Sequence, residues 1–415
     1  MNLKSRLSRL QSQSGVISAT TPSGPDLKNR LNNLHRVRSN KPVEKTSQDA
    51  EERLATAVDG RLVSPGLIRI QSRIPVRHIA EHYGLETLNP NPRLPGEPGP
   101  RDRRNFYLDT ETTGLSGGSG TLCFLLGCAW IEDSHVRLEQ WLITRFASES
   151  ELLKGFSRSL NPKKDRLVSY NGKSFDLPLL RTRYRMHALP WDLEATPHLD
   201  LLHPVRRLFS RRWPDCRLTT LEKRLLGFHR TDDLPGSEAP DAWFDFIRQQ
   251  REARLIRIVR HHRDDILSLI VTHDRLEQTT LDYEAFDMDP FGLARWLERE
   301  DPHKACQVLQ GSFAYLDDAG KLLLARLLQR NGENEQARII WETLAEVGCT
   351  EALERLAKYH EHVTKTVLQA HAYCMKLPEG LAKRIRLARL ERKMLSSMKH
   401  HTRSHDLLND RPKRH

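Results

Sequence analysis

The sequence predicts a mixed α/β domain followed by an all-α domain, and three observations carry that prediction. Between Asn105 and about residue 285, short apolar runs of strand character alternate with amphipathic stretches of helical period. From about residue 290 the pattern is helical only. One of the strand-like runs, FYLDTE, ends on carboxylates. A chain of 415 residues is also too long for one ordinary core.

Residues 1–60 are rich in Ser, Asn, Lys and Arg, with scattered leucines and no sustained period. They read as a basic, mostly disordered segment. Residues 61–100 read as a short ordered lead-in, a strand and a turn, closing in the Pro- and Gly-rich stretch NPNPRLPGEPGPRDRR. That stretch is a linker or a surface loop. The α/β domain is placed at 101–285. FYLDTE is its first strand, and TLCFLLGCAWIE is continuously apolar, as a central strand requires. Glu132-Asp133-Ser134 turns the chain into HVRLEQWLITRF, where Val136, Leu138 and Leu142 at even spacing suit a half-exposed strand. Then come a helix (ESELLKGFSRSL), a strand (RLVSY), a helix (SFDLPLLRTRYRMHAL) and a short strand (HLDLL). RLTTLEKRLLG and the run from Ala242 to Gln278 are helical. Three strands, helix, strand, helix, strand and then helices is the order of an RNase H-like fold.

The helical domain is placed at 286–395, with a basic tail at 396–415. Its pattern is helix, Asn-Gly-Glu turn, helix, short turn, helix, with Ala325, Gly332, Ala337 and Trp341 where close packing of tetratricopeptide-like helix pairs needs small or bulky residues. An irregular helical bundle is the alternative. Such repeats would offer a surface for a protein partner.

Bulk properties narrow the setting. Hydrophobic residues make up 38% and charged residues 29%, and no apolar run is long enough to span a bilayer. The N-terminus lacks the apolar core of a signal peptide. A cytoplasmic protein with no membrane association is expected; the early Arg and Ser, with no acid before Asp26, leave a mitochondrial presequence open on composition. The net charge of +12 and the pI near 9.5 suit a binder of phosphate backbones, or serve solubility alone. The six cysteines form no CxxC pair and read as free thiols.

Four carboxylates in three places carry chemistry: Asp109 and Glu111 in FYLDTETTGL, Asp176 in SYNGKSFDLPLL, and Asp265 in RHHRDDILSL. Residues two apart on a strand share a face, so Asp109 and Glu111 point together with Thr110 opposite. Asn171-Gly172 turns the chain, Ser174 is a candidate helix N-cap, and Asp176 falls in the first helical turn, as a ligand or as a dipole-favoured cap. His261 and Asp265 lie at i and i+4 on one helical face, where the imidazole could orient or deprotonate water; a solvated basic face for the pair His261-His262 is the alternative. Carboxylates are the hard ligands for two Mg²⁺ or Mn²⁺ ions about 3.5–4 Å apart that drive in-line attack on a phosphodiester. The residues interleaved with the acids, Thr110, Gly114, Leu115, Asn171 and Phe175, are the candidate substrate contacts. Residues 116–121 (SGGSGT) form a loop that could cradle a phosphate or simply turn a hairpin. Asp200 could support the acids from behind. Arg206, Arg207, Arg211, Arg212 and Arg217 with Trp213 could contact a single strand or form a solvated face.

Together these elements resemble the DEDD superfamily of metal-dependent 3′–5′ exonucleases, and most specifically its YprB-like branch. DTETTGLSGGSGT at 109–121 and SYNGKSFDLPLL match that branch's first two motifs, and the helical C-terminal part is similar as well. The resemblance implies that Asp109, Glu111, Asp176 and Asp265 hold two ions and that His261 stands in the catalytic set. It implies a nucleic acid, DNA or RNA, digested from a free 3′ end. The third motif departs from both known types: HxxxD has the spacing of YxxxD with His261 replacing Tyr, which leaves the role of His261 open and Asp264 an alternative to Asp265. The competing class is a nucleic-acid-binding adaptor with little turnover that recruits a partner through its helices.

Overall fold

The structure is a computed structural model that describes residues 48–409 except 101, 115–119, 192, 232 and 233, with side chains up to Ser396. It divides after Phe286 into two units. The basic segment 1–47, Leu115, the Gly/Ser loop 116–119 and the last residues of the tail lie outside the described residues.

The first unit is built on a seven-stranded sheet of order β1-β2-β5-β4-β3-β6-β7. Helix α1 (Gln48–Ala57) leads into the hairpin of β1 (Gly60–Ser64) and β2 (Leu67–Pro75), followed by α2 (Val76–His82). The lead-in is therefore more than a strand and a turn. β2 pairs antiparallel along the whole of β5 (His135–Ile143), from Leu67 opposite Ile143 to Pro75 opposite His135. This cover explains why β5, read as half-exposed, is buried from Leu138 to Ile143. Its polar residues survive burial because each is paired. Glu139 accepts from Arg69 Nη2 and Gln71 Nε2, both at 2.7 Å, and Gln140 donates to the Val259 carbonyl at 3.0 Å. Helix α1 lies in the part read as mostly disordered; its Glu51, fully buried, is held by Arg145 and Thr144 at 2.7 Å each.

Strands β3 (Arg104–Thr112), β4 (Cys123–Glu132) and β5 form an antiparallel meander, whereas β6 (Asp165–Ser169) and β7 (His198–Asp200) run parallel to β3. Helices α3 (Glu149–Ser159) and α4 (Asp176–Met186) connect them, as their apolar periods require. Short helices α5 (Leu202–Phe209) and α6 (Leu218–Leu221), the latter running into a π-turn to Leu226, precede α7 (Ala239–Gln249) and α8 (Ala253–Leu281). The helical run from Ala242 onward is broken at Gln250, whose φ of 55° ends α7 in a left-handed cap. Arg254 at the start of α8 reaches back to Glu238 at 2.8 Å and Asp245 at 2.7 Å. The apolar stripe of α8 packs on β3 and β4.

The Pro- and Gly-rich stretch is pinned to this framework. The Asn89 and Arg93 amides donate to Asp274 and Glu277 of α8, at 2.9 and 2.8 Å. Glu97 takes Arg166 at 2.5 Å and His273 at 2.8 Å.

The second unit is helical: α9 (Pro290–Leu297), α10 (Pro302–Gly311), α11 (Asp318–Arg330), α12 (Asn334–Glu346), α13 (Thr350–His362), α14 (Val367–Met375) and α15 (Leu381–Asn409). Each packs on the next in sequence. Asp289, Asp301 and Asp317 cap α9, α10 and α11 by accepting from backbone amides within the first turn. Ala325 and Ala337 are fully buried, Trp341 is nearly so, and Gly332 makes the turn between α11 and α12 at φ 85°. All six cysteines are free. Among the described residues, no helix is long and apolar enough to cross a membrane.

Candidate active site

β3 and β6 are parallel neighbours, so their carboxyl ends open on the same side of the sheet, where open α/β sheets bind ligands. β3 delivers Asp109 and Glu111 there, on the face covered by α8. Thr110 faces the other way and donates from Oγ1 to Asp176 Oδ1 at 2.5 Å. Asp176 is the first residue of α4; Phe175 occupies the N-cap position, and Ser174 does not cap the helix.

The turn after β6 that carries Asp176 is held from behind. Asp200, at the end of β7, accepts from the amides of Asn171, Lys173 and Leu202 at 2.7, 3.0 and 3.1 Å. Asn171 itself sits in the left-handed region at φ 67°. Gly172 packs against Ser169, and a Cβ there would lie 2.3 Å from Ser169 Oγ and 3.2 Å from Asp176 Oδ2, so only glycine keeps the carboxylate in place.

α8 supplies the remaining groups. One ligand atom from each of Glu111, His261 and Asp265 lies within 4.8 Å of the other two. Asp264 turns away and pairs with Arg263 at 3.0 Å. His262 is fully buried rather than solvated. Its Nε2 donates to the Asp109 carbonyl at 3.1 Å, and its Nδ1 accepts from Gln140 at 2.8 Å. Burial pulls its pKa down to about 4, so it is neutral. The room for this ring comes from Gly127, directly opposite Asp109 on β4: a Cβ there would sit 2.4 Å from His262 Cε1 and from Ile266 Cδ1.

Burial raises the pKa of Asp109, Glu111 and Asp176, and neighbouring charges add to it. Burial first, and then the charges of Asp265, Asp176 and Glu111, hold the Asp109 carboxyl well above the usual carboxylate range. Burial and the charges of Asp265 and Asp176 do the same to Glu111. Burial lifts Asp176 to about 6, against the hydrogen bond from Thr110. Ionised carboxylates crowded in this way are costly without a cation among them. A set of hard oxygen donors with that deficit fits divalent metal ions.

One arginine enters from outside the motifs. Arg230 donates from Nε to Glu222 at 3.0 Å, from Nη2 to both Glu222 and Asp265, and from Nη1 to His261 Nδ1 at 2.9 Å. Glu222 in turn accepts from Ser268 Oγ at 2.5 Å. Gly236, six residues on, borders the same space: its Cβ position is 3.4 Å from His261 Nε2 and 3.7 Å from Glu111 Oε1.

Of the residues expected to touch substrate, Thr110 is engaged with Asp176, and the Gly114 carbonyl accepts from Thr112 Oγ1 at 2.9 Å. Leu115 lies outside the described residues. Asn171 shapes the turn through its backbone, and Phe175 presents an aromatic ring that is 49% exposed. Trp213 is buried and stacked on Phe209 with centroids 4.1 Å apart, so its ring is not available to stack on a base.

His262, Arg230 and Gly127 were not singled out by motif. His262 was findable, since it continues the stripe Leu255, Ile258, Val259, Ile266 at helical spacing. Arg230 carries no local signal, because its partners are brought to it by the fold.

Comparison with known proteins agrees with this architecture. A family model described as RNase_H superfamily matches residues 106–276. The chain is 33% identical over 314 residues to the uncharacterized protein YprB of Bacillus subtilis (strain 168), covering 70% of this chain and 75% of that one. The matched region holds nearly all of the meander, the two parallel strands and most of α8, together with all four acids, so a nuclease-type domain acting on nucleic acid with divalent metals is the coarse reading. On its sheet, its helical second unit and this relative, the chain belongs to the YprB-like family of the RNase H superfamily.

Proposed function

We propose that this chain is a metal-dependent 3′–5′ exonuclease of the DEDD kind. What supports the reading is that Glu111 and Asp265 lie within metal-binding reach of each other, and that the charges of Asp265 and Asp176 add to burial in raising the Asp109 and Glu111 carboxyls. These four would hold two Mg²⁺ or Mn²⁺ ions, which when bound supply water activation and charge stabilisation at the leaving oxygen. The chain's own residues do the rest. Thr110 aims the Asp176 carboxylate, Asp200 fixes the turn beneath it, and His262 anchors the Asp109 backbone. Exposed Phe175, beside Asp176, offers a face on which the terminal base can stack. The helical second unit supports the tetratricopeptide-like reading by its sequential pairing, and would bind a protein partner.

The test is digestion of 3′- and 5′-labelled DNA and RNA oligonucleotides with Mg²⁺ or Mn²⁺. Stepwise shortening from the 3′ end is expected, lost in Asp109→Ala. Internal cuts, digestion from the 5′ end, or full turnover by that variant would overturn the reading.

A further inference from the structure

His261 is the natural suspect for taking a proton from the attacking water, and the structure assigns it another task. A guanidinium has five N–H donors and no acceptor. Arg230 Nη1 lies 2.9 Å from His261 Nδ1, so Nδ1 must present its lone pair. The neutral imidazole then carries its proton on Nε2. Nε2 is the nitrogen on the carboxylate side, 3.4 Å from Asp265 Oδ2 and bordered by Gly236 and Glu111. A proton on Nδ1 would point it at the arginine. Arg230 cannot swing aside cheaply, since its Nε and Nη2 are held by Glu222, itself 2% exposed and bonded to Ser268.

We propose that Arg230 locks His261 as a hydrogen-bond donor, so that the imidazole positions the attacking water or a phosphate oxygen and accepts no proton. This deepens, and rests on, the exonuclease reading above. In the hydrolysis the water oxygen bonds to phosphorus and the P–O3′ bond breaks. The water's proton leaves to solvent, and the leaving oxygen takes one from solvent. Arg230 is thereby a positioning residue acting through His261.

The experiment has two arms on the full chain. In ¹⁵N-histidine-labelled protein, the long-range ¹H–¹⁵N pattern of His261 should report the Nε2–H tautomer, with and without Mg²⁺. Arg230→Met, which keeps the stem and removes the donors, should release the ring to a mixture. A His261 ring protonated on Nδ1 in the wild type overturns the proposal whether or not the variant folds. In the second arm, His261→Gln retains a donor amide but no base. It should lose no more than about tenfold in rate, whereas His261→Ala, which removes the donor, should lose about 10²-fold. Equal losses of about 10²–10⁴-fold in both variants mark a general base and overturn the proposal. If the wild type cleaves no oligonucleotide with either metal, the exonuclease reading fails while the tautomer measurement still decides the lock.

Discussion

The ionised Asp109 carboxylate is costly to its own fold. Its carboxyl is raised well above 3.8 by burial and by three neighbouring acids, so the native state holds a proton more tightly than the unfolded chain does. The sign follows: the penalty is absent below the ordinary pKa and grows as pH rises through the raised one, leaving it fully present where the group is ionised. Asp109→Asn removes it. In the presence of EDTA at neutral pH, this variant should melt higher than the wild type by roughly 2–4 °C per kcal/mol relieved. Its cleavage should fall to background, and Mg²⁺ should raise the melting temperature of the wild type alone. A lower melting temperature for the metal-free variant would contradict this account of the site's electrostatics. Gly127 is the second residue on which the geometry depends. Gly127→Ala forces the new methyl into His262 and Ile266, and overpacking of this kind costs about 1–3 kcal/mol. Because His262 anchors the Asp109 carbonyl, the variant should lose most of its metal-dependent cleavage even at temperatures where circular dichroism shows it folded. Full activity in a folded Gly127→Ala protein would show that the ring's placement is immaterial.

Elements that announce themselves locally were legible, and elements defined by distant pairing were not. β3, β4, β6 and β7, with α3 and α4 between them, follow from apolar runs and helical period, and the acids were readable because they interrupt those runs at the strand ends. The same is true of His261 and Asp265, four apart on α8. The addition of β1 and β2 to the edge at β5 was illegible, since strand pairing is set by partners and not by either strand's own pattern. The full burial of β5 follows from that pairing and was missed with it. Arg230 is the corresponding case in the site: its three partners come from α6's π-turn and from α8, joined only by folding. β7 offers a test at this scale. His198 donates or accepts with Ser169 Oγ at 2.7 Å, and burial pulls its pKa from 6.5 down to about 4. The unfolded chain therefore binds the extra proton first, and stability contributed by the neutral ring is lost as pH falls from 6.5 towards 4. Urea midpoints of His198→Gln should flatten over that window relative to the wild type, by at most about 3 kcal/mol at its acid end. Parallel curves for the two proteins would mean that the ring is solvated in the native state.

At the scale of the whole molecule, the excess positive charge and the second unit have to be reconciled with a small acidic site. A cluster of carboxylates repels a polyanion, so productive binding needs cations elsewhere on the chain to hold the strand. Two basic stretches qualify: residues 1–45, and α15 with the residues after it. Within α15 the cations divide by role. Arg386, Arg389 and Lys393 surround Glu361, whose pKa falls to about 2 beside Arg389 and Lys393 despite burial, and Leu390 is buried with Ala357, Ala370 and Cys374. That half of the helix serves the fold. Arg384 and Arg392 are exposed, and Lys399, Arg403, Arg411, Lys413 and Arg414 follow. Neutralising Arg384 and Arg392 as glutamine, ending the chain at Ser396 and removing residues 1–45 should therefore leave the thermal transition in place. It should also flatten the dependence of log K on log salt for an oligonucleotide. Each lost phosphate contact is worth about 0.7 in slope on a single strand. The rate at saturating substrate should change little, because non-specific phosphate contact acts on binding and not on the chemical step. An unchanged slope would show that the basic stretches do not touch phosphate and that the net charge of +12 serves solubility instead.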